Sequence, residues 1–353
     1  MPVFNDSFSI PVSLPGKSTL PLNGIKIIAG DIGGTKTNLA LFHATKNKLE
    51  LIGETRFASP DYNSVGIMIR DFIVASGNIL PDRICLGVAG PVIDGKAELT
   101  NLNWTIESDE LMKTFKVESV SMINDLEAIA YGLSNLGTEE LITVREGNPL
   151  ARGNMAIIAP GTGLGEAGLF WDGKFYHPFP TEGGHCDFSP RTEEDFELTV
   201  FLQKIYGVVS WEKLVSGPAI QDIYKFLDQR RKSSAPGWLQ EALKGEDPSA
   251  VISTMAEDEK DEACVHTMEL FVRYLARESA NLVLKMKATG GLFVGGGIPP
   301  KINPLLERYE FFKHFMDCDR MQNLLEEVPI YLIRDDKTGL NGAATFGAYA
   351  LQQ

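Results

Sequence analysis

The sequence predicts an α/β protein of two lobes. Apolar, β-branched segments repeatedly end in glycine-rich turns, as buried strands do. A strand–glycine turn–strand unit at Ile25–Phe42 recurs at Met155–Trp171, about 130 residues later, as a duplication of architecture rather than of letters. The chain has 353 residues, enough for about two domains with a sizeable core.

The elements follow in order. Residues 1–24 form a leader with Pro2, Pro11, Pro15 and Pro21, and Lys17 as its only base. It lacks the basic start and apolar stretch of a secretory signal, and reads as a loose leader or a surface strap. Ile25, Ile27 and Ile28 open the first strand, which runs into Asp31-Ile32-Gly33-Gly34-Thr35. Thr37–Phe42 mixes alternation with β-branched and aromatic residues, giving a second strand and a hairpin. A third strand is expected at Leu49–Phe57 and a helix at Ser64–Ser76. Arg83–Ala89 reads as a buried strand stopped by Gly90-Pro91. Val120–Ile123 is a short strand that passes through Asn124-Asp125 into a helix over Leu126–Leu136.

The second half opens with the apolar run Met155–Ala159, ending in Pro160-Gly161-Thr162-Gly163-Leu164-Gly165. Residues 190–288 read as helical, with Phe271, Leu275, Leu282 and Met286 on one face. Leu292–Val294 is a buried strand before Gly295-Gly296-Gly297, and Pro329–Ile333 is another. A small-residue helix over Leu340–Leu351 closes the chain.

Composition narrows the function. Hydrophobic residues are 44% and charged residues 23%, which excludes low complexity and whole-chain disorder. Lys+Arg is 33 and Asp+Glu 47, a net charge of −14, so nucleic acid and anionic membranes are disfavoured partners. A local anion site built from backbone N–H groups stays compatible with that charge. Four cysteines, none at C-x-x-C spacing, encode neither a zinc knuckle nor a redox pair and fit a reducing, cytoplasmic compartment. No apolar run approaches the roughly 18 residues of a membrane span.

Five motifs can carry chemistry. In Asp31-x-Gly33-Gly34-Thr35, the glycines permit positive φ and a tight turn that aims N–H groups at one point. Asp31 can hold a water of hydrated Mg²⁺. Alone, a Gly-Gly turn is an ordinary hairpin; the flanking Asp and threonines argue for phosphate. Gly163-x-Gly165-x-x-Gly168 fits the dinucleotide fingerprint by letter, but an aromatic strand follows instead of a helix. A second phosphate hairpin at Gly161-Thr162-Gly163 suits the duplication better. Asn124-Asp125 stands where a strand meets a helix: either residue can cap, and the carboxylate can accept a substrate hydroxyl proton. Glu182-Gly183-Gly184-His185 presents two side chains that suit a polyol, whereas its spacing is poor for a metal. Gly295-Gly296-Gly297 after a buried strand is either a tight loop or a close approach for a flat ring. Thr192-Glu193-Glu194-Asp195 reads as a capped helix start.

In this order the five motifs resemble bacterial-type glucokinase, of the actin, hexokinase and heat-shock ATPase superfamily, from about Ile25 to Ala350. The resemblance implies a two-lobed, duplicated ribonuclease-H-like fold with a cleft between the lobes. The small lobe would span 25–131, with the helix 338–353 packed back on it, and the large lobe 132–337. It implies ATP and Mg²⁺, with Asp31, Gly33, Gly34 and Thr35 as the first phosphate loop and Asp31 touching the metal through water. Gly161, Thr162 and Gly163 match the second phosphate loop, and Gly295, Gly296 and Gly297 the adenosine loop. Asn124, Glu182 and His185 match glucose ligands, Asp125 the catalytic base, and Glu212 a further sugar-binding glutamate, although an exposed helix Glu would look the same. Cys186-Asp187-Phe188-Ser189-Pro190 departs from the cysteine-rich motif of the kinases grouped with repressors, so no structural zinc is expected.

The implied reaction is ATP + glucose → ADP + glucose 6-phosphate, the first step of glycolysis, in a protein for which a homodimer is admitted. Another hexose is one alternative, although Glu182 and His185 would crowd the 2-position. A sugar-sensing regulator is the other, weakened by a leader with one base and no helical period. Because water competes with the 6-hydroxyl for ATP, the lobes are expected to close on the sugar. Small-angle scattering checks this: the radius of gyration should fall when glucose is added, and an unchanged value counts against closure.

Overall fold

The structure, a computed structural model, describes residues 10–99, 101–148, 151–231, 235–245 and 247–350. Pro2 with the start of the leader, and Leu351 at the end of the expected closing helix, lie outside them. The chain divides into two units, Met1–Glu140 with Leu169–Pro180 and Asp335–Gln353, and Leu141–Gly168 with Thr181–Arg334.

In the first unit the strands are β1 (Ile25–Ile32), β2 (Lys36–Ala44), β3 (Leu49–Ala58), β4 (Arg83–Val88), β5 (Val92–Ile93), β6 (Lys96–Leu99), β7 (Trp104–Glu107) and β8 (Ser119–Asn124). The main sheet has the order β3-β2-β1-β4-β8. β1, β2 and β3 form an antiparallel meander, while β1, β4 and β8 run parallel. Alternation along β1 buries both faces. Ile28 and Ile32 pack with Met68, Ile69 and Phe72 of the helix Val65–Ala75, which Ser64 caps. Ile27 and Ala29 pack with Ala128, Leu340, Ala343 and Ala344 of two helices on the other face, Asp125–Gly132 and Thr338–Tyr349.

Those two helices approach at backbone distance. A Cβ on Gly342 would stand 1.7 Å from the Ala128 carbonyl oxygen, and one on Gly132 2.1 Å from that of Thr338. Small residues in the closing helix therefore serve close packing. The described part of the leader is a strap: Ile10, Val12 and Leu20 are buried, and Val12 bridges to Tyr176. The small antiparallel sheet β5-β6-β7 was not expected from sequence. Its strands have two to four residues, too short for an alternating pattern to stand out.

The six-stranded sheet is built from β9 (Leu141–Arg145), β10 (Met155–Pro160), β11 (Leu164–Trp171), β12 (Tyr176–Thr181), β13 (Gly291–Val294) and β14 (Ile330–Ile333), in the order β12-β11-β10-β13-β14-β9, and all of it but Leu169–Pro180 falls in the second unit. From β12 to β14 this repeats the order β3-β2-β1-β4-β8 strand for strand. β10, β13 and β14 are parallel, and β9 adds an antiparallel edge. The region 190–288 breaks into the helices Glu193–Tyr206, Gly217–Asp228, Gly237–Ala242, Pro248–Glu257 and Glu262–Met286. The last is the spine of the core, with Phe271, Leu275 and Leu282 buried and Met286 partly so. Thr192 caps the first of them in a reciprocal box with Asp195. Among the described residues no helix is long and apolar enough to cross a membrane.

Gly342→Ala is expected to destabilise the first unit by about 1–3 kcal/mol, because backbone cannot yield to the added methyl. Urea denaturation of the full chain measures this.

Candidate active site

The C-terminal ends of β1, β4 and β8 lie side by side, with Ile32 opposite Val88 and Val88 opposite Asn124. Ligand-binding groups in parallel α/β sheets gather at this edge. β1 delivers Asp31, paired across the ladder with Asn38 on β2, whose Nδ2 donates to Asp31 Oδ2 at 3.4 Å. Burial raises the Asp31 pKa; Asn38 and Lys36 oppose the rise and Asp336 adds to it. The turn that follows is tied down from behind. Gly33 N–H donates to the Lys36 carbonyl (3.1 Å), Ser59 Oγ to the Gly33 carbonyl (2.7 Å), and Ser59 N–H to the Thr35 carbonyl (3.1 Å). Ser59 had no signal in the sequence, lying in a turn after β3. Thr37 is buried and shares a hydrogen bond with Ser59 Oγ, whereas Thr35 is exposed.

The reason given above for Gly33 and Gly34 needs correction, since neither takes a left-handed φ. At Gly33 the constraint is contact: a Cβ would stand 2.9 Å from the Lys36 carbonyl oxygen. At Gly34 only the Asn101 side chain comes within 3.7 Å, an ordinary contact.

Asn124 ends β8 and caps the next helix. Its Oδ1 accepts from Leu126 N–H (2.9 Å) and Glu127 N–H (3.3 Å), and its Nδ2 donates to the Gly90 carbonyl (3.2 Å). Capping is thus one role of this buried residue. Asp125 is the first helical residue, half-buried, with Oδ1 accepting from Leu126 N–H at 2.9 Å. Two strand spacings, roughly 10 Å, separate the ends of β1 and β8. The Asp31 turn and Asp125 therefore share one sheet edge. In the same first turn, burial pushes Glu127 up to about 7, opposed by its backbone bond to Asn124.

In the second unit β10 ends in the Gly161–Gly163 turn, closed by Gly161 N–H donating to the Gly163 carbonyl at 2.8 Å. Gly217 N–H, at the start of the helix Gly217–Asp228, donates to the Gly161 carbonyl at 2.8 Å. Ser216 caps that helix by accepting from Ala219 N–H, so its first N–H groups hold the turn and the cap. Glu212 braces the same turn: Oε2 accepts from Leu164 N–H at 3.3 Å, and Oε1 pairs with Lys213 at 2.8 Å. Thr162 is exposed at the tip. The dinucleotide fingerprint fails in structure as expected, because β11 runs straight through Gly168.

The Glu182–His185 segment is a 3₁₀ turn pressed onto β11. A Cβ on Gly184 would stand 2.1 Å from the Leu164 carbonyl oxygen, and one on Gly183 1.9 Å from Glu166 Oε2. Glu182 and His185 face each other at 3.9 Å and are both more than half exposed. The segment is joined to Glu212 by Trp211 N–H donating to the Cys186 carbonyl at 3.0 Å. The Gly295–Gly297 loop leaves β13 beside β10. Gly295 N–H donates to the Ile158 carbonyl (2.8 Å), and Gly296, at φ 84°, lies against the Pro160 carbonyl, where only glycine fits.

The predicted residues thus fall into two groups. Asp31, Gly33, Gly34, Thr35, Asn124 and Asp125 gather in the first unit, and the Gly161 turn, Glu182, His185, Glu212 and Gly295–Gly297 in the second. No cluster of three or more metal-ligating side chains occurs among the described residues.

A sequence model of the Glucokinase family matches residues 28–350. A glucokinase of Nostoc punctiforme is 37% identical over 336 residues, covering 91% of this chain and 98% of its own; one of Synechocystis is 36% identical over 349 residues, covering 92% and 98%. The crystal structure of a glucokinase from an Antarctic psychrotroph superposes with a TM-score of 0.76 at 32% identity, over 91% of this chain and 98% of that one. A Streptomyces griseus ROK family glucokinase in complex with glucose and AMPPNP shares the fold (TM-score 0.63, 19% identity, 92% and 99% coverage). The fold is that of a sugar kinase. The chain belongs to the glucokinase family.

The glycine contacts make a paired stability prediction. Gly184→Ala should destabilise by about 1–3 kcal/mol, since its Cβ meets backbone. Gly161→Ala, with no atom within 4 Å of the added Cβ, should change stability by less than about 0.5 kcal/mol. Thermal unfolding of the two variants checks the contrast.

Proposed function

We infer that this chain transfers the γ-phosphoryl group of ATP to the 6-hydroxyl of glucose. Family membership supports the reaction, and the placement of Asp125 supports its mechanism. That carboxylate stands at a strand–helix junction on the sheet edge that also carries the Asp31 turn. Asp125 takes the 6-hydroxyl proton as the sugar oxygen attacks the γ-phosphorus in line, and ADP leaves with the bridging oxygen. No covalent enzyme intermediate is required, so position and electrostatics carry the rate.

Asn124, Glu182 and His185 would hold sugar hydroxyls, a role suited to groups that donate and accept. Glu212 would join them while bracing the Gly161–Gly163 turn, which takes the phosphates on backbone N–H groups. Gly295–Gly297 leaves space for the adenosine. Asp31 with Thr35 fits Mg²⁺, which typically takes one or two carboxylates and completes its shell with water and substrate phosphate. Bound there, the ion would supply neutralisation of phosphoryl charge. The matching strand order of the two sheets supports a duplicated ribonuclease-H-like chain, with a small lobe over 25–131 plus the closing helix and a large lobe over 132–337.

Asp125→Ala is expected to lower kcat by 10²–10⁴-fold, about 3–5 kcal/mol of barrier, while calorimetry still finds glucose bound. A variant with near-normal kcat would remove Asp125 from this role. A coupled assay with ATP, Mg²⁺ and a panel of hexoses tests the acceptor; a higher kcat/KM for another hexose would reassign it.

A further inference from the structure

We propose that Glu166 is a positioning residue for the Glu182–His185 turn: a buried, neutral carboxyl group that shares one proton with Glu278 and supports the turn from beneath Gly183. The proposal rests on the reading that Glu182 and His185 hold sugar hydroxyls.

Glu166 lies on β11 and is 1% exposed, and its Oε1 has no hydrogen-bond partner among the described residues. Glu278, fully buried on the helix Glu262–Met286, is the carboxyl group facing it. Two buried carboxyl groups in contact do not both ionise. The donors decide which one holds the charge. Asn281 Nδ2 donates to Glu278 Oε2 at 2.8 Å and Lys285 Nζ pairs with Glu278 Oε1 at 3.3 Å, whereas Glu166 has no such donor. Glu278 is therefore the carboxylate and Glu166 the acid that donates to it. Burial, then the Glu278 charge, pushes Glu166 up to about 8 against the pull of Lys285.

The turn rests directly on this acid. Glu166 Oε2 occupies the place of a Cβ on Gly183. Thr181 Oγ1 donates to the Glu166 carbonyl (3.1 Å) and accepts from Gly183 N–H (3.3 Å), so the backbone is stitched at the same point. The charged groups facing Glu166 are Glu278 and Lys285 from the helix; β12 contributes the neutral Thr181, and the turn carries Glu182 and His185. Loss of the shared proton leaves two carboxylates against one ammonium in a dry site. Admitting water by lifting the turn relieves this repulsion, and lifting it moves Glu182 and His185.

The test is glucose KM and kcat of the full chain from pH 6 to 9.5. Wild-type KM should rise severalfold above about pH 8 while kcat changes less. Glu166→Gln, which keeps shape and a donor but cannot ionise, should hold KM near its neutral-pH value across the range. Glu278→Gln removes the same repulsion and should flatten the profile too, which covers a failure of the first variant to fold. Glu166→Ala should raise KM at every pH. A flat wild-type profile, or a Glu166→Gln profile that keeps the wild-type inflection, overturns the proposal. Glu182→Gln separates the two levels. If it leaves glucose KM unchanged, the sugar-site reading fails; if it raises KM while Glu166→Gln still titrates like wild type, only the positioning role of Glu166 fails.

Discussion

Contact between backbones without an intervening side chain is the constraint on which each group of site residues depends. The helix that begins with Asp125 is clamped because Gly342 allows the closing helix to reach the Ala128 carbonyl. The turn that carries Glu182 and His185 sits on β11 because Gly184 meets the Leu164 carbonyl. The Gly295–Gly297 loop leans on the end of β10 through Gly296. Side chains hop between rotamers, but backbone in contact with backbone has no such freedom. Catalysis by positioning needs that kind of support.

Charge is handled by the same economy. A chain of net charge −14 has no broad basic surface to offer an anion. Its lysines are largely engaged with carboxylates, as Lys213 is with Glu212 at 2.8 Å and Lys225 with Asp222 at 2.9 Å. The most deeply buried ion pair among the described residues joins Arg277 to Asp195. Arg277 Nη1 donates to Asp195 at 2.7 Å, and its guanidinium stacks 5.3 Å from the Phe188 ring centroid and 5.7 Å from that of Trp211. Asp195 also caps the helix Glu193–Tyr206 through the Arg191 and Thr192 N–H groups. One carboxylate thereby fixes a helix start and, through Arg277, the aromatic shelf beneath Trp211 and its neighbour Glu212. Reading Thr192–Asp195 as a capped helix start was sound, but nothing in a threonine and three acids announces a partner 82 residues away.

What was legible follows physical scale. The two hairpins, the strand before Asn124 and the spine helix announced themselves through period and glycine punctuation, which are local. β5, β6 and β7 did not, because a two- to four-residue strand is shorter than one period test. The glycines of the first turn were found for an incomplete reason. Gly33 is held by contact with a carbonyl rather than by φ, and sequence cannot tell close approach from left-handed backbone. Glu166 was invisible for the opposite reason. In Gly165-Glu166-Ala167 it reads as an exposed strand residue, and its burial depends on Glu278, far along the chain.

The two sheets share a strand order yet carry different chemistry at the same structural address. β1 carries Asp31 near its end, whereas its counterpart β10 runs into Gly161, Thr162 and Gly163; β8 runs into Asp125, whereas its counterpart β14 runs into Arg334 and Asp335. A carboxylate and a glycine at one address differ in what they can take: the first accepts a proton or a cation, the second offers an anion its backbone N–H. Strand order fixes where a group stands; the residue type at that address decides whether it attracts a proton or an anion. The even spacing of parallel strands lets one architecture hold different groups at matching positions.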